Sequence, residues 1–221
     1  MNSLFDFDLK LKKGYIGALD LELSSYDYII GADEAGRGPG AGGVFGGAVC
    51  FKNGVNIKDF EKLNDSKKLS EKTRNKLFSK IKEQAHWGIT CIEVEEIEKI
   101  NILQASLLAM KKSICQVIKE LGDIHNKKIL ILIDGNKEID FQENFVVKSI
   151  IKGDSKSASI AAASILAKVS RDSYMTELDK KYPKYNFKKN KGYLTKEHIE
   201  TIKKEGICRI HRKSFLKNIL N

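Results

Sequence analysis

Apolar runs and the residues that interrupt them divide this chain into short strands and amphipathic helices. Residues 28–32 (YIIGA) form a brief apolar run of the kind that becomes a buried strand, and it ends on two adjacent carboxylates, Asp33 and Glu34. Residues 44–51 (VFGGAVCF) predict a second strand, weakened by Gly46 and Gly47. Asn53-Gly54 is a turn signal that would close a hairpin with a further short strand at residues 55–57. After the polar loop KLNDSKKLS, Ser70 is placed to cap a helix reaching about Gln84, with Leu77, Phe78, Ile81 and Ala85 on one face. Residues 87–94 predict another strand.

The clearest period belongs to Leu103, Leu107, Met110, Ile114, Val117 and Leu121, spaced four and three residues alternately. That is one face of a helix of about five turns, ending at Gly122, and it reads as core packing. Residues 128–133 (KILILI) predict a buried strand ending at Asp134-Gly135-Asn136, and residues 145–151 another ending at Gly153-Asp154. The alanine-rich stretch 160–178 predicts a helix able to pack closely on a sheet; Pro183 ends it, and residues 195–204 restart as a charged helix. Strands first and alternation afterwards predict an α/β or α+β layered domain with a mixed sheet.

The length, 221 residues, suits one large domain or one domain with a small appendage. No apolar run approaches the roughly 18 residues of a membrane-spanning helix, and the N-terminus lacks the features of a signal peptide. A cytoplasmic protein without membrane association is expected. Cys50, Cys91, Cys115 and Cys208 are scattered, so reduced thiols are expected in place of a zinc site. The net charge of +10 favours an anionic partner such as nucleic acid, although a lysine-, isoleucine- and asparagine-rich composition supplies part of it. Only Arg37, Arg74, Arg171, Arg209 and Arg212 are arginines among 39 basic residues. Where lysine is the default cation, an arginine suggests that its planar fork is needed.

The acids carry the candidate chemistry. Asp33-Glu34, Asp134 and Asp154 each follow a predicted strand, and ligands of open α/β sheets bind beyond such strand ends. Carboxylates converging there would suit two Mg²⁺ ions, which favour hard oxygen ligands and together serve in-line phosphodiester displacement. After Glu34 and Ala35, Gly36-Arg37-Gly38 offers freed backbone N–H groups around a guanidinium, suited to gripping a phosphate. Each acid has a plainer reading: a helix-start pair for Asp33-Glu34, a tight turn for Asp134-Gly135-Asn136, a loop or cap for Asp154. Adjacent strand residues also face opposite ways, so Asp33 and Glu34 share a site only if the strand twists or breaks, which Gly36 would permit.

The ordered set IIGADEAGRGPGAG, LNDSKKLSEK, NILQASLLAM, ILIDGN, KGDSKSASIAAASILAKVSRD, NKGYLT and HRKSF resembles bacterial ribonuclease HII over residues 28–215. The resemblance implies a ribonuclease H-like mixed five-stranded sheet flanked by helices (residues 1–180) and a small C-terminal helical subdomain (181–221). It implies a metal-dependent endoribonuclease that hydrolyses the RNA of RNA–DNA hybrids. It further implies nicking on the 5′ side of ribonucleotides embedded in duplex DNA, leaving 3′-hydroxyl and 5′-phosphate ends. The family's metal-binding, catalytic acids fall on Asp33, Glu34, Asp134 and Asp154, with Mg²⁺ or Mn²⁺ in a two-metal site. Its junction-sensing loop falls on Gly36, Arg37 and Gly38, its junction-reading tyrosine on Tyr193, and a phosphate contact on Lys67. A monomer is expected, with a replication clamp as a candidate partner. Arg171, Arg212 and His211 are assigned first to packing and surface salt bridges. The chain departs from the family pattern at Gly40, Gly43, Gly46 and Gly47, where extra glycine would cost roughly 0.5–1 kcal/mol each against alanine. It departs again at Asn190 and Leu194, on either side of Tyr193.

Overall fold

The computed structural model describes residues 3–14, 25–141 and 145–220, so the outer limits 1 and 221 of the two expected units lie outside it. Strands β1 (Tyr28–Ala35), β2 (Val44–Phe51), β3 (Ala85–Ile92), β4 (Ile129–Asp134) and β5 (Val146–Ile150) form one sheet in the order β3-β2-β1-β4-β5. β1 and β3 run antiparallel to β2, whereas β4 is parallel to β1 and β5 to β4. The mixed five-stranded sheet is therefore as expected, and it has a consequence: β1, β4 and β5 all end at the same edge.

Period-two alternation sorts the apolar side chains onto two faces. Ile30, Ala32, Ile131 and Ile133 pack under α3 (Val94–Leu121) with Met110, Ile114 and Val117. Ile29, Leu130 and Leu132 face the other way, toward Ile160 of α4 (Ala158–Lys181). Helix α4 lies flat because its contact stripe is alanine: Ala161, Ala162 and Ala163 have no exposed surface. Caps fix the helix starts. Ser70, Ser157 and Thr195 accept from the backbone N–H groups of Thr73, Ile160 and His198, opening α2 (Glu71–Gln84), α4 and, after the one-turn α5 (Phe187–Asn190), α6 (Lys196–Glu205).

Several expectations are corrected. Residues 55–57 form no strand: Gly54 turns at φ +81, and the chain enters a 3₁₀ turn, Ile57–Phe60. The strand expected over 87–94 runs over Ala85–Ile92 instead, because the next helix opens at Val94, where the Glu93 carbonyl already accepts from the N–H groups of Glu96 and Ile97. That helix is longer than the heptad-like period suggested, but Asn101 (φ 65, ψ 165) breaks it, and the Asn101 Oδ1 accepts from the N–H groups of Leu103 and Gln104 to restart it. An additional helix, α1 (Ser3–Lys12), buries Leu4, Phe5 and Leu11 against the domain. Its Asp8 accepts hydrogen bonds from the N–H and hydroxyl of Ser159 at 2.8 and 2.7 Å, the first turn of α4.

The glycines that departed from the family pattern are sites of close approach, so the stability cost expected for them is offset. A Cβ on Gly46 would lie 2.3 Å from the Ala109 carbonyl carbon of α3, and one on Gly47 would lie 2.4 Å from the Ala163 oxygen of α4. The two helices reach the sheet on opposite faces through these gaps. Gly40 and Leu194 offset each other: a Cβ at 40 would sit 2.7 Å from a Leu194 methyl. The cysteines are all free thiols, and burial pushes Cys50 up to about 12, which keeps it inert. No helix among the described residues is long and apolar enough to cross a membrane.

The segments after Pro183, including α5, α6 and α7 (Lys217–Leu220), gather Tyr185, Phe187, Ile202 and Leu216 into one cluster. Met175 and Leu178 of α4 and Ala41, from the loop between β1 and β2, complete it. The C-terminal segments thus pack against the very loop that carries Gly36-Arg37-Gly38.

Candidate active site

Strand register assembles the acids. Ala32 of β1 pairs with Ile133 of β4, so the next residues along each strand, Asp33 and Asp134, emerge side by side. Asp134 pairs in turn with Ile150, the last residue of β5. The chain then passes through Lys152 in the left-handed region into a single 3₁₀ turn, Gly153–Ser155, which carries Asp154. The Gly153 N–H donates to Asp134 Oδ1 at 2.6 Å, fixing that turn to the end of β4. Glu34 points to the opposite face from Asp33, yet it reaches the same cleft because β1 ends one residue later. Gly36, at φ +103, then takes the chain away.

The carboxylates interact strongly. Burial raises Asp33 well above the usual carboxylate range, and the charges of Glu34, Asp134 and Asp154 add to it; the Glu34 N–H at 2.7 Å is only a partial counterweight. Burial likewise raises Glu34, with Arg37 opposing from 3.5 Å. Burial, then Asp134 and Asp65, lift Asp154 to about 6, with Lys67 opposing. Acids raised by each other and by lost water call for a cation. Their donor set is oxygen throughout, which fits hard divalent ions. Among the described residues no three His, Cys, Asp or Glu side chains are already closed into a metal cage.

Beside the acids lies a cleft of about 230 Å³, lined by Asp33, Glu34, Asp154, Gly36, Arg37, Gly38, Ser66, Lys67, Lys168, Arg171 and Tyr193. That is several times the roughly 30 Å³ share of one water in the liquid, so it is a ligand-sized space. Arg37 is half exposed and free to reach an anion beyond Glu34. A Cβ on Gly38 would be 3.6 Å from the Tyr193 ring, so loop and tyrosine form one continuous wall. Tyr193 itself is 49% exposed. Its turn is built by Asn190, whose Oδ1 accepts from the Gly192 N–H and whose carbonyl accepts from the Tyr193 N–H. Asparagine at this departure from the family pattern therefore constructs the tyrosine's support.

Arg171 and Arg212 are packing residues, as one half of the sequence reading has it; the other half, surface salt bridges, does not hold. Both are fully buried, and their hydrogen bonds end on main-chain carbonyls. Arg171 donates to Gly43, Lys191 and Ala41. Arg212 donates to Gly42, Arg37 and Gly36. A Cβ on Gly36 would sit 2.1 Å from the Arg171 Nε, so only glycine lets the guanidinium tuck beneath the loop. His211 is likewise buried, against His198. Two residues were missed by the sequence reading. Asp65, in the same polar loop as Lys67, faces Asp154, and Lys168 of α4 lines the cleft while bonding Asp172 at 2.7 Å. The only signal for Asp65 was its position in the NDSKK motif.

Sheet order and flanking helices define a ribonuclease H-like protein. Ribonuclease H2 from Pyrococcus horikoshii has the same fold at a TM-score of 0.65 and 25% identity, over 87% of this chain and 96% of that one. A Bst-RNase HIII solved in complex with Mn²⁺ shares the fold at a TM-score of 0.62 and 17% identity, over 92% and 73% of the two chains. Within that class, this chain belongs to the ribonuclease HII family, whose model matches residues 30–218. It is 54% identical to the ribonuclease HII of Clostridioides difficile over 88% of this chain and 72% of the relative. It is 47% identical to that of Fusobacterium nucleatum over 91% and 90%. The protein is accordingly an enzyme, an endonucleolytic hydrolase of the ribonuclease H type.

Proposed function

We propose that the protein hydrolyses the RNA strand of RNA–DNA hybrids and nicks on the 5′ side of ribonucleotides embedded in duplex DNA, leaving 3′-hydroxyl and 5′-phosphate ends. The observation that carries this reading is the meeting of Asp33, Glu34, Asp134 and Asp154 at one sheet edge, beside a wall made of Gly36-Arg37-Gly38 and Tyr193. The four acids would hold Mg²⁺ or Mn²⁺, two ions fitting the number of carboxylates. Bound there, the metal would supply an activated water and charge stabilisation for in-line displacement at phosphorus.

The chain's own groups do the rest. Arg37 and Lys67 bring positive charge to the rim where a phosphodiester would lie. The Gly36-Arg37-Gly38 backbone can approach a sugar closely, which registering a lone 2′-hydroxyl requires. The exposed Tyr193 ring stacks on the deoxyribose that follows, where an added hydroxyl would clash, and so favours an RNA–DNA junction.

The test is a duplex with one internal ribonucleotide beside a continuous hybrid, with metal titrated and the cut position mapped. Asp134→Asn should abolish nicking of both while the circular dichroism of the protein is preserved; persistence of nicking would reject the site. Tyr193→Ala should erode the preference for the lone ribonucleotide, and equal losses on both substrates would refute its junction role.

A further inference from the structure

The Tyr193 ring reaches into the cleft, but its main chain is anchored in buried chemistry. The Tyr193 carbonyl accepts from the Thr195 N–H at 2.8 Å and faces His198 Nδ1 at 2.9 Å. A carbonyl can only accept, so His198 Nδ1 carries the proton. Both His198 and His211 are fully buried, and burial lowers both, His211 to about 4, with His198 adding to the effect there; each ring is therefore neutral at pH 7. His198 Nε2 is then a bare acceptor, and it lies 3.1 Å from His211 Nε2. One of those nitrogens must donate, so the proton sits on His211 Nε2. That leaves His211 Nδ1 bare, in agreement with the Cys208 N–H pointing at it from 2.9 Å. The Cys208 carbonyl at 3.3 Å from the same nitrogen is then a contact without a hydrogen bond. One tautomer pair satisfies the whole chain: Cys208 N–H to His211, His211 to His198, His198 to the Tyr193 carbonyl.

The next residue, Arg212, grips the other reading element through the carbonyls of Gly36, Arg37 and Gly42. Consecutive side chains of one strand-like segment thus hold the two walls of the cleft. Tyr185 and Phe187 keep the imidazoles from tilting, with ring centroids 4.9 Å from His211 and 5.5 Å from His198.

We propose that His198 and His211 are positioning residues that set the placement of Tyr193 against the Gly36-Arg37-Gly38 loop, and so set discrimination between a lone ribonucleotide and a continuous hybrid. This rests on the reading of Tyr193 given above. The measured quantity is the ratio of kcat/KM on the two substrates. His198→Phe keeps the ring shape and removes the donor; the ratio should fall roughly three- to tenfold, the worth of one neutral hydrogen bond. His198→Asn places an amide N–H near the position of Nδ1 and should restore most of the ratio. An unchanged ratio in His198→Phe, or equal ratios in the Phe and Asn variants, would overturn the proposal. Tyr193→Ala is run alongside. If it shifts the ratio while His198→Phe does not, only the histidine inference falls; if it leaves the ratio unchanged, both readings fall. The wild-type protein provides a check independent of variant folding. Nitrogen-15 imidazole spectra at pH 7 should show His198 protonated at Nδ1 and His211 at Nε2, and the reverse tautomers or a charged ring would overturn the assignment.

Discussion

Replacing Arg212 with lysine should cost the protein far more than a conservative exchange of cations would suggest. Arg212 sits with no exposed surface, its Nε and Nη2 donating to the Gly42 carbonyl, Nη2 also to Gly36 and Nη1 to Arg37. Burial, then the neighbouring Arg171 cation, push the guanidinium down to about 9, so it is still charged at neutral pH. A lysine ammonium is a single point on a flexible stem and lacks the planar fork that spreads donors over three separate carbonyls. At least two charge-assisted bonds are lost, each worth about 1.5–3 kcal/mol. The lower bound of about 3 kcal/mol is a large share of a typical stability of about 5–15 kcal/mol. For a chain of this length it corresponds to a fall in Tm of roughly 6–12 °C. Denaturant and thermal melts of Arg212→Lys measure the loss, and nicking of a lone-ribonucleotide duplex measures whether the loop is released with it. A loss below about 1 kcal/mol with nicking intact would refute the view that this guanidinium holds the loop.

Gly46→Ala should destabilise by about 1–3 kcal/mol or more in denaturant melts, because its Cβ would meet α3 backbone at 2.3 Å and backbone cannot rotate away. Asp8, raised by burial from 3.8 to about 6, contributes stability in its neutral form that is fully present below about pH 4 and lost as the pH rises through about 6. The displacement of about two pH units at about 1.4 kcal/mol each bounds the effect at about 3 kcal/mol, so Asp8→Asn should flatten that part of the pH–stability curve. Asp33, Glu34 and Asp154 are raised in the same direction, so protein in chelator should melt lower at pH 7 than at pH 5. Mg²⁺ should restore the pH 7 value, and melting indifferent to Mg²⁺ would count against a cation among these acids.

The acid-bearing strand ends were legible because the signal is local: an apolar run, then a carboxylate, then a turn residue. The cap at Ser70 was legible for the same reason, whereas Thr195 read as the first residue of its helix and is in fact the residue that caps it. What escaped depended on distant partners. The apolar side of α1 acquires meaning only when Asp8 meets the first turn of α4, a separation of 151 residues. Composition rules place arginine at the surface, and nothing near Arg212 in sequence shows that its acceptors lie 170 to 176 residues earlier. The glycines at 40–47 read as weak strand because the helix backbones and the leucine filling their gaps lie elsewhere in the chain. The break at Asn101 turned on a single residue, whose side chain accepts from the N–H groups of Leu103 and Gln104 and outweighs the apolar period on either side.

The buried arginines also explain how the acids stay raised although cations lie close by. Two cations lie beneath the loop that adjoins four carboxylates, and direct pairing would lower the carboxylates. Asp33, Glu34 and Asp154 are instead raised. The reason is geometric: the fixed fork of each guanidinium is spent on carbonyls of the loop between β1 and β2 and of the turn before Tyr193. Positive charge is thereby built into the wall that would receive a phosphodiester, without neutralising the acids that would hold a cation. A substitution that turned either guanidinium toward Asp33 or Glu34 would relieve the acids' mutual repulsion and, by the same step, remove what fits them for a metal. The backbone carbonyls are what keeps the two clusters apart.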